Sequence, residues 1–202
     1  SGLVGSEMCI RDRSGIAISE ITPHQRAQKV SIVLNNQSID SDLLVKELVE
    51  LGRSPYTSWL GNLKDNDKTK VIEAIQACQL EHLSDKPLAH ISDGERQRAM
   101  IARCLAQDTE LMLLDEPTAS LDPEIGDFVR TFLENYKKEK KISILLASHN
   151  MNEVTRLCKK ILMMKDGVII DKGNPEELIK KHGRKNLEEV FLKLSRNKNE
   201  LY

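Results

Sequence analysis

Two apolar runs constrain this chain more than any other feature: residues 111–114, Leu-Met-Leu-Leu, and residues 142–147, Ile-Ser-Ile-Leu-Leu-Ala. A half-wet strand alternates apolar and polar side chains, whereas a continuous apolar run suits a strand of a parallel sheet covered on both faces. Both runs are therefore expected as buried strands. Between them, Asp122-Pro123 opens a stretch that reads as helix to about Lys140, since aspartate caps exposed helix amides and proline suits the first helical position. Strand, helix and strand in this order imply parallel strands joined by a crossover helix.

The rest of the pattern extends that layout. Ile16, Ile18 and Ile21 suggest a short strand, Thr22-Pro23 a helical turn, and Val30 to Leu34 a second strand broken by Asn35-Asn36-Gln37-Ser38. Leu43, Leu44, Leu48 and Leu51 fall at helical spacing, and Gly52 is expected to stop that helix. Residues 66–78 predict an amphipathic helix with Val71, Ile72, Ile75 and Cys78 on one face, and residues 95–107 a further helix rich in Arg and Ala. After a helix near residues 152–158, the segment Lys165-Asp166-Gly167 between two apolar stretches predicts a hairpin, and residues 175–180 and 186–194 predict two closing helices. The fold class expected is α/β with a mostly parallel sheet.

Composition narrows the function. The chain has 202 residues, 40% of them hydrophobic and 30% charged, enough for one sizeable core. A formal net charge of -1 gives no case for nucleic-acid binding. No apolar run approaches the roughly 20 residues a membrane helix needs. The four cysteines, Cys9, Cys78, Cys104 and Cys158, form no Cys-x-x-Cys pair and read as buried free thiols of a reducing compartment.

The chemistry lies between Ile91 and His149. Ser92-Asp93-Gly94-Glu95 is a capping box at a helix start, where the free amides and positive helix end also favour a phosphate. The apolar run 111–114 ends in Asp115-Glu116, followed by Pro117-Thr118-Ala119 and Ser120-Leu121-Asp122, and the second run ends in Ser148-His149-Asn150. Taken singly, a carboxylate or a histidine after a strand is more often a solvated residue. In this order and spacing the set resembles the ATP-binding cassette (ABC) ATPases.

That resemblance implies specific roles. Asp115 corresponds to the aspartate that orients Mg²⁺, a hard cation that prefers oxygen ligands. Glu116 corresponds to the catalytic base for the attacking water, a role worth roughly 10²- to 10⁴-fold in rate. His149 corresponds to the switch histidine at the γ-phosphate, Asp122 closes the D-loop, and Ser92, Asp93, Gly94 and Glu95 form the signature that meets ATP held by a second subunit. The usual signature is Leu-Ser-Gly-Gly-Gln, so Ile91, Asp93 and Glu95 depart from it, a variant shared by several importer cassettes. The Q-loop position is best matched by Asn35, with Asn36 and Gln37 as neighbours.

Leu48-Val49-Glu50-Leu51-Gly52-Arg53-Ser54-Pro55-Tyr56, with Trp59 nearby, resembles the helical-subdomain entry of importer cassettes for iron-siderophore, haem and vitamin B12. Packing over the small subdomain's core is the competing reading of Tyr56 and Trp59. The resemblance implies a P-loop NTPase-like sheet with a helical subdomain at about residues 38–95 and C-terminal helices at 175–202. It also implies ATP and Mg²⁺ as cofactors, a homodimer of cassettes, transmembrane permease subunits as partners, and a place on the cytoplasmic face of the membrane. A non-transport ABC ATPase and a non-catalytic interaction module remain open as alternatives.

One part of the family pattern does not occur. No Gly-x-x-x-x-Gly-Lys-Ser/Thr is present, and none of the ten glycines precedes a lysine. Residues 3–13, LVGSEMCIRDR, resemble the translation of a transposon-end adaptor used in preparing DNA for sequencing. A non-native tail over residues 1–13, a natural fragment from Ser14, loss of the phosphate-loop strand and helix, and no ATP binding by the chain alone are the expectations that follow.

Overall fold

The computed structural model describes residues 21–34, 41–58, 61–119 and 121–196. The strand expected around Ile16 and Ile18, the residues Cys9 and Trp59, and all three Q-loop candidates, Asn35, Asn36 and Gln37, lie outside them. Helix α1 (Pro23–Lys29) leads into β1 (Val30–Val33), with Thr22 capping the Gln25 amide and Pro23 at the first helical position. Then come α2 (Val45–Glu50), a 3₁₀ helix (Leu51–Tyr56), α3 (Asp65–Ala77), α4 (Asp93–Gln107), β2 (Leu111–Asp115), α5 (Pro123–Lys140), β3 (Ser143–Ala147) and α6 (Met151–Leu157). The hairpin β4 (Ile161–Lys165) and β5 (Val168–Gly173) and helices α7 (Pro175–His182) and α8 (Leu187–Arg196) complete the order.

Strands β1, β2 and β3 form a parallel sheet in that order, and β4 and β5 pair antiparallel as a separate sheet. The expected α/β class and parallel pairing are therefore present. Register places Val33 beside Leu114 and Asp115 beside Ala147. The face carrying Val33, Met112 and Leu114 is sealed beneath α4 and α5, whose Ala99, Ile101, Val129 and Leu133 belong to the same buried cluster. A second, smaller cluster joins Ile161 and Met163 of the hairpin to Leu178, Leu187 and Val190. Cys78 and Cys104 are buried free thiols, and burial pushes the Cys78 thiol up to about 12.

The expectation that both apolar runs are covered on two faces does not hold. Ile32, Leu34 and Leu145 are exposed, Leu145 by 59%. With Leu111, Leu113 and Ala27 they line an open apolar groove of about 960 Å³. Helices α4 and α5 lie on one side only, so the alternate side chains of each strand meet no second layer among the described residues. No helix among the described residues is long and apolar enough to cross a membrane.

Three further corrections concern the helical segment. The helix read from residue 41 begins at Val45, because the carbonyls of Ser41 and Leu43 accept the Ala89 and Leu88 amides, and Leu44 bridges to Pro87. Ile72 is 54% exposed, so the buried face of α3 is Val71, Ala74, Ile75 and Cys78. Gly52 does not end the helical path, which continues as the 3₁₀ helix. It is glycine because a Cβ there would lie 2.2 Å from the backbone oxygen of Arg103 on α4.

Two buried carboxylates tie packed segments together. Arg53 is 4% exposed and donates to Asp67 on α3, at 2.9 Å from Nε and 2.8 Å from Nη2, and to the Ala106 carbonyl on α4 at 2.7 Å. The Tyr56 ring stacks over its guanidinium at 3.9 Å. In the C-terminal part, the Asp171 carboxylate receives Lys181 at 2.7 Å and His182 at 2.6 Å. Burial pushes Asp171 up, but these hydrogen bonds, together with the Lys172 amide, outweigh it and hold the group at about 2.

Gly52→Ala is expected to cost about 1–3 kcal/mol through the forced backbone shift, measured as a lower denaturant midpoint at unchanged slope. Because Asp171 sits below its ordinary 3.8, its contribution is present above that value and is lost as pH falls toward about 2. Asp171→Asn should therefore be less stable near neutrality and show a shallower decline in melting temperature across that acid window.

Candidate functional site

Parallel pairing puts the carboxyl ends of β2 and β3 side by side, and the two loops that carry the predicted residues leave from there. The Glu116 amide donates to the Ala147 carbonyl at 2.9 Å, extending the ladder one residue past Asp115. Glu116 then takes a left-handed backbone, with φ of 49°, which breaks the strand. The His149 amide donates to Glu116 Oε1 at 2.9 Å, and His149 Nδ1 lies 2.5 Å from the same oxygen. With Glu116 ionised, the ring carries its proton on Nδ1, because a carboxylate only accepts. Glu116 Oε2 has no hydrogen bond among the described residues.

This pair borders a cavity of about 330 Å³ that Asp122, Arg130 and Asn150 also line. Asp122 is the N-cap of α5, its Oδ1 accepting the Glu124 and Ile125 amides at 3.1 and 3.0 Å. Asp115 ends β2, half-buried beside Ala147, and does not line the cavity. Its carboxylate is an oxygen donor of the kind a hard divalent cation takes, and no group of three or more His, Cys, Asp or Glu side chains among the described residues gathers to hold one.

Ser92, Asp93, Gly94 and Glu95 are held elsewhere, at the start of α4. Ser92 Oγ accepts the Glu95 amide at 3.3 Å, and Glu95 Oε2 accepts the Ser92 amide at 2.8 Å, a complete capping box. Glu95 Oε2 also accepts the Ser92 hydroxyl at 2.8 Å, and the Ser92 amide first and this hydroxyl second hold the Glu95 carboxyl below the usual range. Ser92 and Asp93 are exposed, and none of the four residues lines the cavity beside Glu116. The two groups still communicate. Gln97 Nε2 donates to the Pro117 carbonyl at 3.2 Å, and a Cβ on Gly94 would sit 3.4 Å from Leu121 Cδ2. So the helix start rests directly on the loop that follows Glu116.

Sequence reading missed Gln97, Arg130 and Glu153. Glu153, 1% exposed, accepts Thr118 Oγ1 at 2.8 Å and Ser148 Oγ at 2.6 Å. Its position three residues after Asn150 looks like an ordinary helix-start glutamate, so only the packing reveals it.

The family model described as ABC transporter matches residues 5–119. The chain belongs to that family. An ABC transporter ATP-binding protein of Methanocaldococcus jannaschii is 33% identical over 83% of the chain and 58% of its own length. The probable siderophore transport system ATP-binding protein YusV of Bacillus subtilis is 34% identical over 82% of the chain and 60% of its own length. The ferric enterobactin transport ATP-binding protein FepC of Escherichia coli is 32% identical over 82% and 61%. This ABC chain thus spans about 60% of the length of these relatives. The structure of an ATP-binding subunit of an ABC transporter superposes with a TM-score of 0.73 at 21% identity, covering 90% of this chain and 74% of that one. A dimeric bacterial ABC transporter cassette gives 0.70 at 23% identity, over 80% and 71%, so the cassette fold is shared.

Ser92→Ala should cost about 1 kcal/mol by removing the cap. It should also move the Glu95 carboxyl back toward the ordinary glutamate range, because the hydroxyl bond that favours its charged form is gone. Since that group is depressed in the folded state, the cap's contribution is lost on acidification. Carboxyl ¹³C titration of Glu95 in parent and variant reads both effects.

Proposed function

We propose that this chain is part of the ATP-hydrolysing subunit of an ABC importer, supplying the base, the switch histidine and the signature helix of the reaction. The observation that carries the reading is the Glu116–His149 contact at the joined ends of β2 and β3. Two donors from His149 pin one oxygen of Glu116, which leaves Oε2 as the acceptor for a proton of the attacking water. The His149 ring is 79% accessible, and with Nδ1–H given to Glu116 its Nε2 can donate to a phosphate oxygen only in the doubly protonated form. Asp115 would hold Mg²⁺, which would supply charge neutralisation at the phosphates.

On this reading, residues 1–13 are a non-native tail and the ABC ATPase domain takes up the chain from residue 14 on. Residues 38–95 then form its helical subdomain and 175–202 its C-terminal helices. ATP is held by a phosphate loop that this chain does not supply, the exposed Ser92 end of α4 meets the ATP of a second copy, and a permease completes the assembly at the inner face of the membrane. Relatives named for siderophore and enterobactin transport support an iron-siderophore cargo, and the resemblance at Leu48 to Tyr56 adds haem and cobalamin-type cargo to the expectation.

Calorimetric titration of the chain with Mg-ATP should show no micromolar binding. Joining a phosphate-loop segment to its N-terminal side should restore binding, and Glu116→Gln in that chimera should slow hydrolysis by roughly 10²-fold or more without weakening binding. A chimera that hydrolyses ATP equally well with Gln at position 116 removes the proposed base.

A further inference from the structure

A glutamate at the third position of a helix ordinarily turns back to the cap residue's own amide. Glu153 holds that position in α6 and does something else. Asn150 Oδ1 caps the helix, taking the Asn152 and Glu153 amides at 3.1 and 3.2 Å, and the Asn150 amide goes to Ser148 Oγ at 3.1 Å. The Glu153 carboxylate is thereby released to bridge two hydroxyls, Thr118 Oγ1 on Oε1 and Ser148 Oγ on Oε2. Thr118 stands two residues after Glu116, and Ser148 stands one before His149. A single carboxylate thus spans the same two loops that Glu116 and His149 span, from the buried side.

We propose that Glu153 is a positioning residue that sets the alignment of Glu116 with His149; its catalytic meaning rests on Glu116 being the base. The energetic reason is desolvation. A carboxylate 1% exposed is costly unless hydrogen-bonded, so both hydroxyls are drawn to it and both loops lose freedom. The neighbouring cation is Arg130, whose Nη1 lies 3.5 Å from Thr118 Oγ1 and reaches the carboxylate only through that hydroxyl. Releasing Thr118 from the clamp therefore frees the loop that carries Glu116, and releasing Ser148 frees the one that carries His149. Glu153 itself does not line the cavity, so its influence passes through these two side chains.

The test needs no nucleotide. The chain, isotope-labelled and kept in mild non-ionic detergent to shield the open sheet face, is followed by amide hydrogen exchange and by the ring ¹⁵N signals of His149. Thr118→Val changes only the loop opposite His149, yet should speed exchange of the His149 amide about tenfold, the scale of one hydrogen bond to a charged group. The ring signals should shift while the amides of β2 keep their rates. Ser148→Ala should act in the same direction. Glu153→Gln, able to accept from one hydroxyl and donate to the other, should stay closer to the parent than Glu153→Ala.

Unchanged His149 signals in both hydroxyl variants would overturn the proposal. So would a rise in His149 exchange by the same factor as in β2, which is general loosening. If Glu153→Ala does not fold, the two hydroxyl variants decide. Undiminished hydrolysis in the Glu116→Gln chimera would strike the catalytic reading and leave this alignment standing, and the converse also holds.

Discussion

The site depends on the pairing of β2 with β3. Their parallel register brings Asp115 beside Ala147, and the next backbone bond, from the Glu116 amide to the Ala147 carbonyl, carries the ladder just past the strand end. Parallel strands deliver both outgoing loops to one edge of the sheet, which is why residues far apart in sequence can share an oxygen there. The left-handed turn at Glu116 then stops the strand and leaves its carboxylate at the mouth. Without that shared edge, an acid and a histidine after two strands would be solvated neighbours of nothing.

A second constraint acts through α4. Its N-terminal turn holds the exposed Ser92 cap, its middle seals the sheet through Ala99 and Ile101, and its last turn gives the Ala106 carbonyl to buried Arg53. Gly52 permits the 3₁₀ helix to touch the Arg103 backbone, and Gln97 fastens the helix to Pro117 beside the acid. One rigid rod therefore spans helical segment, sheet and site. A shift of the helical segment has a direct mechanical route to the Glu116 loop through it.

Most elements were legible locally. Thr22-Pro23, Ser92 with Glu95, and Asp122-Pro123 mark helix starts because capping is a contact between residues two or three apart, and each begins where its cap requires. The hairpin around Asp166-Gly167 is legible for the same reason. The start of α2 was misread because the segment at Leu43 and Leu44 pairs with Pro87 and Leu88, a long-range bond with no local signature. Ile72 was misread because helical spacing defines a face but not its exact edge. The burial of the strands was half right, since an apolar run states what a face prefers and not whether a second layer arrives to cover it.

Order and spacing were enough to put Asp115 and Glu116 at the end of one strand, His149 after another and Ser92 at a helix start, since strand ends and helix starts are sequence features. By itself the sequence determined the strands, the caps, the acids at the strand end and the family to which they belong, because each follows from contacts within a few residues or from an ordered motif. Only the tertiary structure decided that Glu153 spans two loops, that Arg53 lies buried against Asp67 and Ala106, and that Ile32 and Leu145 face an open groove. Those outcomes hinge on which distant segments meet, and a hydroxyl, a guanidinium or a leucine carries no mark of its eventual partner until the chain has folded around it.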